Sequence, residues 1–411
     1  MKYILIIGDG MADNPVESLG GKTPLEAANI PTIDRLAAAG LLGSAKNCPP
    51  AFPPGSDTAI MSIFGCDPNK YYTGRAPLEA AAQGVSLKDG DLAFRCNMAS
   101  LTEGDMPMGE REIISHSGGS IDGEDSMTLV RDLFADPEFS AKAKAAGVNI
   151  YPSCSYRHIA VQSNGDGKGL VFNAPHEHLT DKAAQWLPHG NENAKVLLDL
   201  MEASYYYLSK HPINVQRRAE GKLAANCIWF WAEGTAVTLP SFPAAYNKKG
   251  AVISAVPLCH GIGALIGITP VTVEGATGEL DTNYEGKVEA ALRCLREEDF
   301  EFVGVHIEAP DECTHNGDLE GKLQAIEWLD SRVIAPIIKG MEGEDFRMLI
   351  ISDHKTLTST RGHDGDPVPF IIYDSRENTP GSGLAYSEAN GLTGPMIPEG
   401  TALLGMLFEN N

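Results

Sequence analysis

Four short apolar runs in this chain stop abruptly at acidic or imidazole residues, and that recurrence restricts the fold more than any other feature. "YILIIGDG" (3–10) ends in Gly-Asp-Gly, and "EFVGVHIEAPDE" (301–312) runs into a cluster of acids. "FRMLIISDHKT" (346–356) reaches Ser-Asp-His, and "PVPFIIYDS" (367–375) reaches Asp-Ser. Continuous β-branched runs of this length, without polar alternation, suit strands covered on both faces. Helical stretches lie between them, such as "EGKLQAIEWLDSRVIAPIIKGM" (320–341), whose apolar residues recur every three or four positions. Strands alternating with helices predict an α/β fold built on a parallel sheet. Ligands of such sheets bind outside the carboxyl ends of the strands, where these polar clusters fall.

With 411 residues the chain exceeds what one hydrophobic core usually serves, so two domains are expected. The stretch 87–246 reads differently from its flanks. It is rich in turn signals, "HSGGSIDGED" and "QSNGDGKG", and holds a long helical piece, "NENAKVLLDLMEASYYYLSKH". It reads as a second domain inserted into a core formed by 1–86 and 247–411. One segment, "AVISAVPLCHGIGALIGITPVTV" (251–273), is long and uncharged enough to cross a bilayer. Pro257, His260, Pro270 and its glycines argue instead for a buried strand, a Gly-rich connection and a second apolar segment.

The formal charge is −23, from 55 acidic against 32 basic residues. Nucleic acid and anionic membranes select basic surfaces and are excluded as main partners. Any anionic substrate must therefore meet local positive charge, from a metal or from arginines. The eight cysteines are scattered, with no Cys-x-x-Cys pair, and read as reduced thiols. The opening apolar run is too short for a signal peptide, and a cytoplasmic location is expected.

The acidic and imidazole residues at predicted strand ends are Asp9, Asp311, His315, Asp353, His354 and His363. Singly, each has an ordinary explanation: Asp after a strand caps the next helix, and a loop His is a hydrogen-bonded surface residue. Together they put three carboxylates and three imidazoles at one sheet edge. Mn²⁺ and Zn²⁺ take this mixture of oxygen and nitrogen ligands, and six such groups suffice for two ions. Ser56, in "AFPPGSDTAIMS" (51–62), follows Pro-Pro-Gly where an apolar helix begins. It is placed to cap that helix. It is equally placed to present a nucleophile that a metal would activate, with the helix amino end behind it to receive a phosphate. The two roles are compatible, and phosphoryl transfer fits the set.

These residues also carry a family likeness. "GDGMAD", "PPGSD", "YYTGRAPLEA", "FRCN", "SYRH", "PDECTHNGDLEGK" and "SDH…GHDGDPVPF" together resemble the archaeal-type 2,3-bisphosphoglycerate-independent phosphoglycerate mutases of the alkaline phosphatase superfamily, from the first residues to about 375. The resemblance implies an alkaline-phosphatase-like parallel-sheet core with an inserted second α/β domain that closes over substrate. It implies one metal on Asp311, His315 and His363, and another on Asp9, Ser56, Asp353 and His354. It further implies that Ser56 is transiently phosphorylated while 3-phosphoglycerate and 2-phosphoglycerate interconvert, without bisphosphoglycerate. Mn²⁺ is the expected ion, with Zn²⁺, Mg²⁺ and Co²⁺ also compatible with the ligands. Lys355, Arg361, Cys313 and Thr314 depart from the archaeal pattern and match a bacterial branch proposed to act as homoserine kinase. That branch keeps the same metal set, so homoserine phosphorylation stays an alternative, as does a phosphomonoesterase on the same two-metal scaffold.

A small phosphorylated carboxylate needs cationic partners, and the planar donor fork of Arg suits both of its anionic groups. The candidates are Arg75 in "TGRAP", Arg157 and His158 in "SYRH", Lys249 before "GAVISAV" and, with less in its favour, Arg95 in "FRCN". His116, His176 and His178 read as solvated loop residues.

Overall fold

The first three of the four apolar runs become neighbouring parallel strands, and the fourth does not join them in parallel. A computed structural model describes residues 1–376 and 381–409. The chain divides into two compact units, Met1–Tyr72 with Thr238–Asn411, and Thr73–Val237. The first unit holds an eight-stranded sheet: β1 (Lys2–Gly8), β2 (Leu41–Ala45), β3 (Gly250–Ile253), β4 (Thr269–Val271), β5 (Phe302–Ile307), β6 (Phe346–Ile351), β7 (Val368–Asp374) and β8 (Met396–Ile397). Their hydrogen-bonded order is β8-β2-β7-β6-β1-β5-β3-β4. Central β1 lies parallel to β5 and β6, with Ile7 opposite both His306 and Ile351. This register brings three carboxyl ends level at one edge, so the residues that follow, Asp9, Asp311, Asp353 and His354, start from the same place.

The run 367–375 is the exception: β7 is antiparallel to both β6 and β2. A parallel neighbour would need a crossover of a dozen or more residues, usually a helix. Here a small hairpin, Lys355–Leu357 against Gly362–Asp364, turns the chain straight back. It is therefore the amino end of β7, not its carboxyl end, that lies at the shared edge, and the hairpin delivers His363 there.

The uncharged segment 251–273 also differs from its sequence reading. Its Gly-rich part is the helix Pro257–Ile266 between β3 and β4. A Cβ at Gly263 would lie 2.6 Å from Val252 Cγ1, so glycine lets the helix approach the strand closely. Among the described residues no helix is long and apolar enough to cross a membrane. The predicted helix at 320–341 forms as Leu319–Trp328 and Ala335–Gly340, joined by a π-helical turn at Leu329–Ile334. Pro336 accounts for the turn, since it removes an N–H and its ring crowds the carbonyl four residues earlier.

The second unit is a mixed α/β body on an antiparallel sheet in which strand Leu92–Leu101 pairs with Ile113–Ser115, Arg157–Gln162 and Cys227–Thr235, and Val148–Tyr151 pairs with Arg157–Gln162. Phe94, Cys96, Met98, Leu197, Trp229 and Phe230 are buried in its core. The helix Arg75–Ala82, which the sequence reading leaves with the first domain, packs Ala76 and Ala80 against Ala93, Ile159 and Val161 of this sheet. The unit limits thus fall at 72/73 and 237/238, rather than 86/87 and 246/247.

Candidate metal centre

Ser56 does not cap its helix. Helix Ser56–Ile63 has Gly55 at the cap position, with extended backbone and no capping side chain, so Ser56 is the first helical residue. Its hydroxyl points elsewhere: Oγ lies 3.4 Å from Asp9 Oδ2 and 3.1 Å from His354 Nε2.

Around that oxygen stand two groups of acidic and imidazole side chains, Asp9 with Asp353 and His354, and Asp311 with His315 and His363. Within each group, one potential ligand atom per residue lies within 4.8 Å of the others. Asp311 and His315 occupy one face of the short helix Ala309–His315, because residues four apart stack on a helix. His315 Nε2 is 3.1 Å from Asp311 Oδ2, and His363 Nε2 is 3.4 Å from Asp311 Oδ1. In the other group, His354 Nε2 is 3.2 Å from Asp353 Oδ2 and 3.7 Å from Asp9 Oδ1. Donor atoms held by one tetrahedral ion at ordinary bond lengths are about 3.3 Å apart.

The far nitrogens of the three histidines are occupied. His315 Nδ1 donates to the Arg361 carbonyl at 2.8 Å, and His363 Nδ1 donates to the Pro54 carbonyl at 3.2 Å. Thr356 Oγ1 donates to Asp311 Oδ1 at 2.6 Å, so toward His354 Nδ1, 3.2 Å away, it can only accept. Each ring therefore turns Nε2 into the site, an orientation typical of metal-bound histidine. His315 Nε2 and His363 Nε2 are only 2.9 Å apart, a distance two lone pairs tolerate only with a positive charge between them. The Asp311 carboxylate pushes the His315 imidazole up to about 9, so a proton and a divalent cation would compete for that position.

The residues fit divalent cations on a second count. Asp9 Oδ1 and Asp353 Oδ2 are buried without a hydrogen-bond partner among the described residues. Burial, with Asp353, Asp311 and Glu308 nearby, holds the Asp9 carboxyl well above the usual carboxylate range. Unpaired buried carboxylate oxygens are costly, and a metal ion offsets that cost.

The sequence reading missed two members of the site. His306, on β5 and 1 % exposed, has Nε2 2.9 Å from Asp9 Oδ2 and Nδ1 3.1 Å from Ser254 Oγ. The Asp9 carboxylate accepts, so His306 donates from Nε2 and its Nδ1 accepts from Ser254 Oγ, which in turn accepts from the Val256 N–H at 2.9 Å. The signal was present as a polar residue inside a fully buried apolar run. Thr356, the other, follows a strand as an ordinary β-branched residue and gives no such signal.

The substrate candidates separate. In the second unit Arg95 Nε donates to Glu79 Oε2 at 2.8 Å, and Arg75 Nε to Glu79 Oε1 at 3.1 Å. Burial alone would raise the Glu79 carboxyl, but Arg95, helped by Arg75 and Arg157, holds it at about 2. Arg157 lies beside Tyr156 and Trp231, and its buried Nε has no hydrogen-bond partner among the described residues. His116 is half-buried with its ring against Tyr156, His176 is exposed with one side of its ring against Trp231, and His178 stacks on Trp186.

Two of the proposed substrate residues do not fit. His158 is fully buried, with Nε2 3.0 Å from Ser126 Oγ and Nδ1 accepting from the Ser153 N–H at 3.1 Å, so both nitrogens are used by the fold. Lys249 precedes β3 and so sits at the amino ends of the parallel strands, on the edge away from Ser56. Its Nζ donates to the Glu298 carbonyl at 3.1 Å and lies over the Phe300 ring. Sequence adjacency to a strand does not reveal which end of that strand faces the site.

Comparison with known proteins finds relatives along the whole chain. The family model described as 2,3-bisphosphoglycerate-independent phosphoglycerate mutase matches residues 37–214. A protein of that name from Methanosarcina mazei is 44% identical over 413 residues, covering 100% of both chains. One from Geobacter sulfurreducens, named as a probable enzyme of this kind, is 42% identical with the same coverage. A solved structure from Pyrococcus horikoshii has a TM-score of 0.80 at 30% identity, covering 100% of this chain and 98% of the other. A cofactor-independent phosphoglycerate mutase from Thermoplasma acidophilum has a TM-score of 0.65 at 25% identity, covering 99% of each. With full-length relatives at this level of identity, the chain belongs to the 2,3-bisphosphoglycerate-independent phosphoglycerate mutase family.

Proposed function

We propose that this protein interconverts 3-phosphoglycerate and 2-phosphoglycerate through a phosphoserine at Ser56. The observation that carries the reading is the Ser56 hydroxyl, directed at Asp9 and His354 and not used as a cap. With its one hydrogen directed at one of these acceptors, Oγ keeps a lone pair for attack on phosphorus, and the proton that Ser56 gives up is taken by the departing substrate oxygen. The P–O bond to the substrate breaks as the bond to Oγ forms. The neighbouring hydroxyl of the same glycerate then takes the phosphoryl group back, and Ser56 is regenerated. The amino end of helix Ser56–Ile63 adds partial positive charge beside the phosphate.

Asp311, His315 and His363 would hold one divalent cation, and Asp9, Ser56, Asp353 and His354 another. Their mixed oxygen and nitrogen donors favour Mn²⁺, with Zn²⁺, Mg²⁺ and Co²⁺ also accepted. When bound, such ions supply charge neutralisation and a lowered serine pKa. Arg157, whose buried Nε has no hydrogen-bond partner among the described residues, is assigned together with Arg75 to the substrate's anionic groups, which suit the planar donor fork of a guanidinium. The relatives compared carry the mutase name and lend no support to homoserine phosphorylation.

The test supplies 3-phosphoglycerate and Mn²⁺, with neither bisphosphoglycerate nor ATP, and follows 2-phosphoglycerate. The expected result is formation of 2-phosphoglycerate with little inorganic phosphate. Release of phosphate alone would make the protein a phosphatase. Failure here, with homoserine and ATP giving phosphohomoserine, would establish the kinase.

A further inference from the structure

We propose that Thr356 is a positioning residue whose single hydroxyl links the two ligand groups; the inference rests on the two-cation reading above. Thr356 is fully buried in the hairpin strand Lys355–Leu357. Oγ1 donates to Asp311 Oδ1 at 2.6 Å, a member of one group, and sits 3.2 Å from His354 Nδ1, a member of the other. Opposite it in the hairpin register is His363. One side chain thus meets ligands of both groups and is paired through its backbone with a third.

A hydroxyl has one hydrogen. Given to Asp311, it fixes one carboxylate oxygen and forces the oxygen to accept from His354. His354 is then the tautomer protonated on Nδ1, and its Nε2 lone pair faces Ser56, Asp9 and Asp353. The surroundings hold this hydroxyl in place. The Thr356 N–H donates to the Ala12 carbonyl at 3.1 Å, and the Thr356 carbonyl accepts from Lys322 Nζ at 2.6 Å. Lys322 is itself anchored, 2.9 Å from buried Asp13. Gly10, in a left-handed conformation with φ +60°, leaves room: a Cβ there would collide with Thr356 Oγ1 and stand 2.7 Å from Asp311 Oδ1. Position 10 is thus kept clear for the hydroxyl.

The experiment titrates Mn²⁺ into chelator-stripped wild type, Thr356→Val and Thr356→Ser, with calorimetry for affinity and thermal unfolding as the check on fold. Wild type is expected to take two equivalents. Thr356→Val keeps the shape and loses the hydroxyl, and should weaken both equivalents by about 10- to 100-fold, the usual cost of removing an outer partner of metal ligands. At saturating Mn²⁺ its kcat should fall with KM little changed. Thr356→Ser keeps the hydroxyl and should restore both. Wild-type Mn²⁺ affinity in Thr356→Val, or a Thr356→Ser as weak as the valine variant, overturns the proposal. A wild type that takes up no Mn²⁺ brings down the two-cation reading itself. Should Thr356→Val not fold, ¹⁵N spectra of wild-type His354 decide: the Nδ1–H tautomer is required, and the Nε2–H tautomer contradicts it.

Discussion

Replacing Ser56 with alanine is expected to lower turnover by at least about 10⁴-fold, the order seen when a nucleophile is removed from an otherwise intact site. The fold should be unaffected. Ser56 is the first residue of its helix, and its hydroxyl makes no capping bond whose loss would fray that helix. Alanine is at least as good a helix former there, so stability should stay within about 0.5 kcal/mol of wild type. Mn²⁺ affinity should fall only modestly, since Asp9, Asp353 and His354 remain. The measurement pairs a steady-state assay with thermal unfolding and Mn²⁺ titration of the same preparation. Near-normal turnover in a folded, cation-binding variant would show that the hydroxyl does no chemistry.

The second large effect is chelation. Stripping divalent cations should remove activity altogether, and Mn²⁺ should return it. The geometry also predicts a structural cost. Asp9, Asp353 and Asp311 are nearly or fully buried, and one oxygen each of Asp9 and Asp353 has no hydrogen-bond partner among the described residues. Cations that bind the folded chain stabilise it by mass action, about 2.7 kcal/mol at a hundredfold excess over Kd. For a unit of this size that raises Tm by about 5–10 °C. Scanning calorimetry with and without Mn²⁺ checks this, and identical melting curves with identical turnover would exclude a cation at the site.

How much of this was legible beforehand follows from the physics of each element. Buried parallel strands announce themselves as unbroken apolar runs, and the first polar residue after such a run must lie at the sheet edge. Asp9, Asp353 and His354 were readable for that reason. His315 was readable as the helical partner of Asp311, four residues on. The antiparallel course of β7 was not, because direction depends on whether a helix or a hairpin precedes it, and 355–364 shows no strong turn signature. His158 and Lys249 failed differently. Each is a basic residue in a plausible local setting, but one hydrogen-bonds inside the second unit and the other lies at the wrong end of its strand. His306 showed itself only as a polar residue inside a buried run, without its partner Asp9 297 positions away, and Thr356, 45 positions from Asp311, left no local trace. The Ser56 cap reading was reasonable, but Gly55 at the cap position frees the serine.

Diffraction from crystals grown with Mn²⁺, collected where manganese scatters anomalously, tests the central claim most directly. Two anomalous peaks are predicted, one within bonding distance of Asp311, His315 and His363, the other of Asp9, Asp353, His354 and Ser56 Oγ. Peaks elsewhere, or none at saturating Mn²⁺, would contradict the account.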